Sequence, residues 1–299
     1  MAANTYRIAE KITRFFLNEA PCIVNNCIPT NANCEQLIAH PNIAGVSLTG
    51  SVNAGKIVGS IATKHLKPCV LELGGSDPYL IFNDANLEKA IETAVLARFL
   101  NNGQTCISAK RFLFERTIFD KAIKLFTEKT DEFIHYNNPL IKTTTIGPLA
   151  NENVYTTLTN QLKTSTIKHA NIVYKHCESN PSGLYFPPTI IDASKLPEND
   201  TLLTEEIFGP IAVCQPFENT KNAILKANST QFGLGASIWS NTPNTQKQCI
   251  EKIECGTIAI NSMVTSKSNI PFGGRKNSGL GTELGIERIL SFTGKKYIH

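Results

Sequence analysis

Short apolar runs typical of β-strands alternate with helix-like segments along most of the chain. Regular alternation of this kind predicts an α/β fold with a largely parallel sheet, because a helix usually crosses over between successive parallel strands. The strand-like runs are residues 44–48, 69–73, 78–82, 111–115, 172–174, 211–213, 236–239 and 257–260. The helix-like segments are residues 5–18, 56–66, 87–100, 117–135, 152–168, 220–228 and 245–254. The prolines between these segments predict surface loops at Pro181, Pro187, Pro188 and Pro197.

The composition narrows the class of protein. Across 299 residues the hydrophobic content is 41%, the charged content 18% and the net charge +4, as in ordinary soluble globular proteins. Basic residues are not clustered with aromatic ones, so nothing specific favours a nucleic-acid partner. No apolar run approaches the roughly 18 to 20 residues of a membrane span, and no signal-peptide pattern is present. We therefore expect a cytoplasmic protein without membrane contact.

The cysteines argue against structural roles for their thiols. There are nine, an odd number, and none forms a C-x-x-C pair, which disfavours a disulfide framework and a zinc site. The six histidines do not cluster either. We expect no bound metal and a reducing compartment.

One cysteine has a setting of its own. Cys106 ends the polar stretch Asn101-Asn102-Gly103-Gln104-Thr105-Cys106, between a helix-like segment and a strand-like run. A thiol on such a loop can be reached by a substrate, and its thiolate would be a nucleophile. Taken alone, the loop is weak evidence for catalysis.

A turn early in the chain has features of an anion-binding site. Thr49 and Gly50 follow a strand-like run, Ser51 is a good N-cap residue, and Gly55 precedes the helix-like segment 56–66. A strand, a glycine turn and a helix N-terminus together present backbone N–H groups to a phosphate. The pattern is not a Walker P-loop, and an ordinary βα turn explains it equally well.

Glu72 is an unusual residue in an apolar strand-like run. It follows Cys69-Val70-Leu71 and precedes Leu73-Gly74-Gly75. Burial among apolar neighbours disfavours the charged form of a carboxyl group, so Glu72 is a candidate general base. The alternative is a glutamate on an edge strand that faces solvent.

Together with two glycine-containing stretches near the C-terminal half, these motifs resemble the aldehyde dehydrogenase superfamily in content and in order. The resemblance covers essentially the whole chain, and several motifs in the right order make it specific. The matching residues are Leu48-Thr49-Gly50-Ser51 with Gly55, Glu72-Leu73-Gly74-Gly75, Asn101 with Gly103-Gln104 and Cys106, Glu206-Ile207-Phe208-Gly209-Pro210, Asn261, Pro271-Phe272-Gly273-Gly274 and Ser278-Gly279.

The resemblance implies the reaction and its catalytic residues. Cys106 is implied as the nucleophile, and Glu72 as the general base that activates Cys106 or the hydrolytic water. The implied activity is NAD- or NADP-dependent oxidation of an aldehyde to the carboxylic acid. It would proceed through a cysteine thiohemiacetal and a thioester.

The resemblance also implies residues that hold the cofactor. Gly50, Ser51 and Gly55 would hold its pyrophosphate at the start of a helix. Glu206 would bond the nicotinamide ribose, and Phe208 and Leu73 would lie beside the nicotinamide. The sequence does not decide between NAD and NADP.

The resemblance further implies a partial Rossmann-type cofactor domain joined to a catalytic α/β domain. Residues 1–74 would be the remaining part of the dinucleotide-binding domain and residues 75–280 the catalytic domain. Residues 281–299 would return toward the cofactor domain and carry the strand used in assembly, so a homo-oligomer is expected. Family members are longer at the N-terminus and supply there an oxyanion-hole Asn and a Lys for the adenosine ribose. We therefore expect a truncated chain with impaired activity.

Within the superfamily, the sequences around Glu72 and Cys106 are most similar to the succinate-semialdehyde dehydrogenase branch. A distal carboxylate on the substrate needs a cation or hydroxyl cluster. Leu100 departs from some members of that branch, which carry an arginine there. The candidates by position are Arg98, Ser266, Lys267 and Ser268.

Two other functions stay open. A non-catalytic homologue or subunit is disfavoured by the intact Cys106 and Glu72, but favoured by the missing N-terminal half. A thiol hydrolase without a cofactor is disfavoured because no motif supplies a histidine partner.

Overall fold

The computed structural model describes residues 3–19, 31–167, 170–176, 183–294 and 296–298. The helices in these ranges are α1 (Ala3–Glu19), α2 (Asn31–Ala39), α3 (Val52–Lys64), α4 (Leu87–Phe99), α5 (Phe119–Phe133), α6 (Glu152–Ile167), α7 (Thr201–Thr204), α8 (Thr220–Asn228), α9 (Pro243–Lys252) and α10 (Ile286–Ile289). The strands are β1 (Val46–Thr49), β2 (Cys69–Glu72), β3 (Asp77–Ile81), β4 (Ala109–Glu115), β5 (Asn171–Lys175), β6 (Thr189–Asp192), β7 (Ile211–Phe217), β8 (Phe232–Gly233), β9 (Gly235–Trp239), β10 (Thr257–Ile260), β11 (Arg275–Lys276) and β12 (Gly279–Leu280).

The largest sheet is mostly parallel and confirms the predicted α/β class. Its strand order is β10-β9-β3-β4-β7-β6-β5. Every neighbouring pair is parallel except β5 and β6, which are antiparallel. Helices pack on both faces of this sheet, as the alternation of helices and strands requires.

The alternation of side chains along β3 and β4 divides the core into two layers. Tyr79 and Phe112 lie in the layer that contains α4 and α5. Leu80 and Leu113 point the other way, into the layer that contains α8 and α9. All four side chains are fully buried, because successive residues of a strand face opposite sides of the sheet. The two central strands therefore hold the site-bearing loops on a rigid base.

A smaller sheet has the order β1-β2-β12. β1 and β2 are parallel, and β12 returns from much later in the chain to pair antiparallel with β2. Among the described residues, β1 pairs on one side only. Gly74 and Gly75 join the carboxyl end of β2 to the amino end of β3, so the carboxyl edge of the small sheet meets the amino edge of the large one.

Some predicted boundaries are wrong for identifiable reasons. α3 begins at Val52 and not at residue 56, because the Ser51 side chain accepts from the Ala54 N–H at 3.2 Å and caps the helix there. β6 is a buried strand inside the proline-marked region where loops were predicted. This strand directly follows Pro187 and Pro188, and prolines are more typical of loops than of strands. Pro181 lies outside the described residues.

The C-terminal segment was expected to supply an assembly strand. Gly294 and residues 296–298 lie in no helix or strand of the described chain, and Tyr297 and Ile298 are 85% and 89% exposed. None of the described helices combines the length and the apolar character that crossing a membrane requires.

Candidate active site

The loop that carries Cys106 is held in an unusual backbone conformation. Leu100–Gly103 forms a short 3-10 helix after α4, and Cys106 lies three residues before β4. Asn101 and Asn102 have φ angles of 53° and 58°, a left-handed conformation that costs free energy in residues other than glycine. The surrounding contacts must therefore stabilise this conformation.

Asn102 supplies one set of those contacts. Its side-chain amide donates to the carbonyls of Gly147 and Pro148 at 2.9 and 2.8 Å. Its side-chain oxygen accepts from the Gly147 N–H at 3.2 Å. The Gln104 side chain adds a bond by accepting from the Ala150 N–H at 2.9 Å. The nucleophile loop is thereby tied to the segment 147–150.

Arg98 supplies a second set of contacts from inside the protein. Its guanidinium is fully buried and donates to the carbonyls of Ala109, Gly103 and Ile207 at 2.8, 3.1 and 3.3 Å. It also donates to the carbonyl of Gly209. The candidate role of Arg98 in binding a substrate carboxylate is wrong, because the side chain is fully buried and both Nη atoms donate to backbone carbonyls. Instead, Arg98 joins the Cys106 loop to residues 207–209.

Lys110 lies directly beneath the same loop. Its side chain is fully buried, and its Nζ donates to the carbonyls of Cys106, Ser108 and Thr105 at 2.9, 3.1 and 3.4 Å. The same Nζ is 3.9 Å from Oε1 of Glu206. A buried cation therefore connects the backbone of the nucleophile with the carboxylate predicted to bond the nicotinamide ribose.

The side chain of Arg111, the next residue, lies on the opposite face of the sheet from that of Lys110. Its guanidinium donates to the carbonyls of Lys226 and Ala227, at the end of α8, at 2.7 and 2.8 Å. It also donates to the carbonyl of Ser76 at 3.0 Å. Cations favour the C-terminal end of a helix, where backbone carbonyls lack partners. The two adjacent cations of β4 thus stabilise different layers.

Gly74 and Gly75 pass between Cys106 and Glu206. The Gly75 N–H donates to Oε1 of Glu206 at 3.0 Å, and a Cβ at position 75 would be 2.9 Å from the carbonyl oxygen of Cys106. A Cβ at position 74 would collide with the Glu206 carboxylate. Both positions therefore require glycine for close approach, and the double glycine brings the three parts of the site together.

Glu72 is buried at the carboxyl end of β2. It is 3% exposed and lies between Thr49 of β1 and Gly279 of β12. The alternative of an edge-strand glutamate facing solvent is therefore wrong. Its carboxyl oxygens accept no hydrogen bond from the described residues. Burial, with a contribution from the charge of Glu283, raises the pKa of Glu72 to about 8. The carboxyl group is mostly protonated at neutral pH and is available as a base at higher pH.

The Cys106 thiol is partly buried, and its surroundings do not by themselves favour the thiolate. Burial raises the pKa of Cys106 above its ordinary value. The charge of Lys110 and a hydrogen bond from the Ile107 backbone lower it, whereas the charges of Asp77 and Glu206 raise it. Cys106 thus needs a proton acceptor to become a nucleophile near neutral pH.

Asp77 is a buried carboxyl group that sequence reasoning missed. It is the first residue of β3 and is 2% exposed. Its Oδ1 accepts from the Gly235 N–H at 3.0 Å, and its Oδ2 has no partner among the described residues. Burial raises the pKa of Asp77 to about 7, although Lys110 opposes the shift. The sequence contains no signal for Asp77, the first residue of β3, or for Lys110, the second residue of β4, because charged residues near the start of a strand usually face water.

The β1–α3 turn has the features expected of a phosphate site. The Gly50 N–H donates to the Glu72 carbonyl at 3.0 Å, Ser51 caps α3, and the first turn of α3 contains no acidic residue. Gly55 lies inside α3, where a Cβ would be 2.5 Å from a methyl carbon of Leu73. The helix therefore packs closely on β2 and leaves its positive N-terminal end free of competing carboxylates.

Residues predicted to hold the nicotinamide end of the cofactor lie on both sides of the double glycine. Glu206 keeps 23% of its side chain exposed, and Phe208 is partly buried. Leu73 is buried against α3. A partly exposed Glu206 side chain, together with a helix N-terminus whose first turn has no acidic residue, fits a dinucleotide. Within the described ranges, no group of three or more His, Cys, Asp or Glu side chains is arranged to hold a metal.

A cavity of about 230 Å³ is lined by Thr105 and Ile107, the two sequence neighbours of Cys106, together with Leu100, Met263 and Ser266; Cys106 itself does not line it. Of the residues proposed for a substrate carboxylate, Ser266 is the one that lines this cavity, and Lys267 and Ser268 are exposed nearby in sequence. The cavity wall is mainly apolar and carries hydroxyl groups, a lining that suits a small organic molecule.

A half-buried thiol and a buried carboxylic acid, placed near the junction of the small sheet and the mostly parallel large sheet, are typical of enzymes that form a covalent cysteine intermediate. Residues 1–298 match the aldehyde dehydrogenase family. The chain belongs to this family.

Relatives and solved structures agree with that assignment. The chain is 37% identical over 294 residues to a succinate-semialdehyde dehydrogenase (NADP+) of Mycobacterium avium, covering 97% of this chain and 61% of the relative. It is 38% identical over 264 residues to a probable succinate-semialdehyde dehydrogenase (NADP+) of Synechocystis sp., covering 88% and 58%. The crystal structure of an NAD-dependent aldehyde dehydrogenase from Sinorhizobium meliloti superposes with a TM-score of 0.81 at 32% identity, covering 86% of this chain and 51% of that one. The chain thus spans about 60% of the length of these curated relatives.

Proposed function

We propose that this protein oxidises an aldehyde to the carboxylic acid, with NAD+ or NADP+ as the oxidant and Cys106 as the nucleophile. The observation that carries the proposal is the packing of the Cys106 carbonyl against Gly75, whose N–H bonds Glu206. The contact of Gly75, which follows the strand of Glu72, with the backbone of Cys106 and the carboxylate of Glu206 supports these roles in a member of the aldehyde dehydrogenase family.

The proposed chemistry begins with the thiol of Cys106. Deprotonated Glu72 accepts the thiol proton, directly or through water, and the thiolate sulfur bonds to the aldehyde carbon. Loss of hydride from that carbon leaves a thioester on Cys106. After the thiol proton has passed from Glu72 to solvent, Glu72 accepts a proton from water and the water oxygen attacks the thioester carbon. The C–S bond then breaks, which releases the acid, and the departing sulfur takes the proton from Glu72. When bound, the nicotinamide supplies the oxidising power by accepting the hydride.

The proposed cofactor-holding residues follow the geometry of the two sheets. Gly50, Ser51 and the N-terminus of α3 would bind the pyrophosphate, with Gly55 setting how closely α3 approaches β2. Glu206 would accept hydrogen bonds from the nicotinamide ribose. Leu73 and Phe208 would flank the nicotinamide. A relative that uses NADP+ and a solved structure of an NAD-dependent enzyme support either cofactor.

Succinate semialdehyde is the proposed substrate, on the strength of the relatives named for it. The cavity lined by Thr105 and Ile107 offers the Ser266 hydroxyl, and Lys267 follows it. Leu100 lines the same cavity. Leu100→Arg would place a cation there, so we expect this variant to lower the KM for succinate semialdehyde and leave that for an uncharged aldehyde of similar length unchanged or raised.

We further propose the domain division expected from the sequence, with residues 1–74 as part of a cofactor domain, 75–280 as the catalytic domain and 281–299 as the returning segment. β12 (Gly279–Leu280) pairs with β2, so the chain reaches the small sheet at the last two residues before the proposed returning segment. A homo-oligomer in the cytoplasm remains part of the proposal. The alternative, a non-catalytic homologue, is not favoured.

The test is reduction of NAD+ or NADP+ by the purified chain with succinate semialdehyde and a panel of uncharged aldehydes. Cys106→Ser should reduce turnover to the background rate. Cys34→Ser is the matched control, since Cys34 is another partly exposed free cysteine, located on α2. Turnover that survives in Cys106→Ser would contradict the proposal. If the wild-type chain shows no turnover and its Cys106 reactivity does not change with cofactor, the non-catalytic alternative is favoured instead.

A further inference from the structure

The buried side chain of Lys110 makes hydrogen bonds to the backbone of the Cys106 loop. An ammonium has three donors, and those of Lys110 are directed at carbonyls of the segment that contains Cys106. The side chain is fully buried, so water cannot replace these bonds without opening the protein. The orientation of the Cys106 peptide therefore depends on one cation.

Lys110 and Cys106 are surrounded by other charges that are also buried or half-buried. Glu206 and Asp77 favour the charged form of Lys110, whereas burial and Arg98 oppose it. The Asp77 carboxyl group lies beside the backbone of Cys106, since a Cβ at Gly75 would be 2.9 Å from the Cys106 carbonyl oxygen and 3.1 Å from Oδ1 of Asp77. Lys110 and Arg111 oppose the rise in the pKa of Asp77 that burial causes. Cys106 is influenced by Lys110 in one direction and by Asp77 and Glu206 in the other. The charge of Lys110 on β4 therefore favours the Cys106 thiolate, whereas the carboxyl groups of Asp77 on β3 and Glu206 before β7 oppose it.

We propose that Lys110 is a positioning residue that fixes the Cys106 backbone and favours the Cys106 thiolate, and that Asp77 acts against it. Glu206 links this pair to the cofactor side of the site, because its Oε1 lies 3.9 Å from Nζ of Lys110 and also accepts from the Gly75 N–H. The inference rests on the proposed role of Cys106 as nucleophile.

A purely structural lysine provides the comparison. Nζ of Lys67 donates to the carbonyls of Ile38 and His40 at 2.5 and 2.6 Å, at the end of α2 and away from Cys106. Lys67 therefore makes the same kind of lysine-to-carbonyl contact as Lys110 without facing the thiol. A general loss of stability would appear in both lysine variants, whereas an effect on the thiol should appear only at position 110.

The experiment measures the rate at which iodoacetamide alkylates Cys106 in the full chain as a function of pH, quantified on the Cys106 peptide by mass spectrometry. Lys110→Gln should move the midpoint of this profile upward, and Asp77→Asn should move it downward, each by about one pH unit. Lys110→Arg should keep the midpoint near that of the wild type, because the charge is retained. Lys67→Gln should leave it unchanged.

Opposite shifts are the decisive result, since unfolding or loosening of the loop would affect the two variants in the same direction. Equal midpoints, or shifts of the same sign, would overturn the inference. Should Lys110→Gln fail to fold, as judged by circular dichroism, the downward shift in Asp77→Asn still decides. Alkylation requires no turnover, so this result is separate from the test of the proposed function with Cys106→Ser.

Discussion

The backbone of Gly75 lies against the carbonyl oxygen of Cys106, so closely that a Cβ at position 75 would stand 2.9 Å from that oxygen. Real Cβ atoms do not approach backbone oxygens at such a distance, so one of the two segments must move to admit a side chain. The same Cys106 oxygen accepts from Lys110 at 2.9 Å. Movement of the Cys106 peptide would therefore disturb the thiol and the Lys110 contact together.

We expect Gly75→Ala to displace Cys106 and lower turnover by about 100-fold, a loss typical of a misplacement of about 1 Å at a reacting group. The measurement is kcat with NAD+ or NADP+, together with iodoacetamide alkylation of Cys106. Gly294→Ala is the control, because a Cβ there meets no atom within 4 Å. Full activity in Gly75→Ala would show that the loop tolerates the displacement.

Glu72→Gln tests the buried carboxyl group through pH. The pKa of Glu72 is raised from its model-compound value of 4.5 to about 8, so the folded state disfavours its charge. The contribution of Glu72 to the free energy of unfolding is therefore greatest below pH 4.5, where the carboxyl group is neutral in both states. It is lost as the pH rises from 4.5 through about 8. We expect Glu72→Gln to unfold at a higher temperature than the wild type at pH 9 and at a similar temperature at pH 5. Thermal unfolding followed by circular dichroism measures both.

The same carboxyl group predicts the pH dependence of activity. Only the deprotonated form of Glu72 can accept a proton, so kcat of the wild type should rise as pH passes through about 8. Glu72→Gln should remove this rise and reduce kcat at every pH. A rise that persists in Glu72→Gln would assign the titration to another group.

Arg98 should contribute to stability and not to substrate recognition. Arg98→Met removes a donor from four buried carbonyls, of which that of Gly209 keeps a bond from the Ile211 N–H. We therefore expect a loss on the order of 3 kcal/mol in the free energy of unfolding by urea. Arg98→Lys retains the charge but not the planar fork of donors and should lose less. A variant of normal stability with a raised KM for succinate semialdehyde alone would instead place Arg98 in the substrate site.

Asn101 and Asn102 form a matched pair because both adopt positive φ. Asn101→Gly relieves backbone strain at an exposed residue and should change stability by no more than about 0.5 kcal/mol. Asn102→Gly also relieves strain but removes the bonds to Gly147 and Pro148, so it should cost about 1–3 kcal/mol. Urea unfolding of the two variants compares the effects. Equal stabilities would show that the Asn102 side chain does not anchor the loop.

Much of the fold could be predicted because its elements have long, clear patterns. The segments 220–228 and 257–260 were placed with both ends correct, since each is bounded by turn or cap residues. β12 could not be found in the same way. It has two residues, and its partner β2 lies far away in the chain, so only the folded structure reveals the pair.

Some residues of the candidate site could likewise be predicted from the sequence, and others could not. Cys106 and Glu72 attract notice because their residue types are out of place in their local sequence. Asp77 and Lys110 do not, since a charged residue at the start of a strand usually faces water. Their burial arises from tertiary packing of β3 and β4 against the Cys106 loop. Arg98 was misassigned for the same reason, because its position in a helix gave no indication that it would face inward toward four carbonyls.

The order of the two cations on β4 carries information that composition does not. Lys110 faces the Cys106 loop and Arg111 faces the end of α8, because the pleat of the strand sends neighbours to opposite sides. A double variant that exchanges them, Lys110→Arg with Arg111→Lys, keeps the length, charge and amino-acid content of the chain. At position 110 the arginine retains the charge beside the thiol, whereas at position 111 a lysine would place a point charge where a fork spans three carbonyls. Two sequences with identical amino-acid content would then differ in whether the carbonyls at the end of α8 keep their donors.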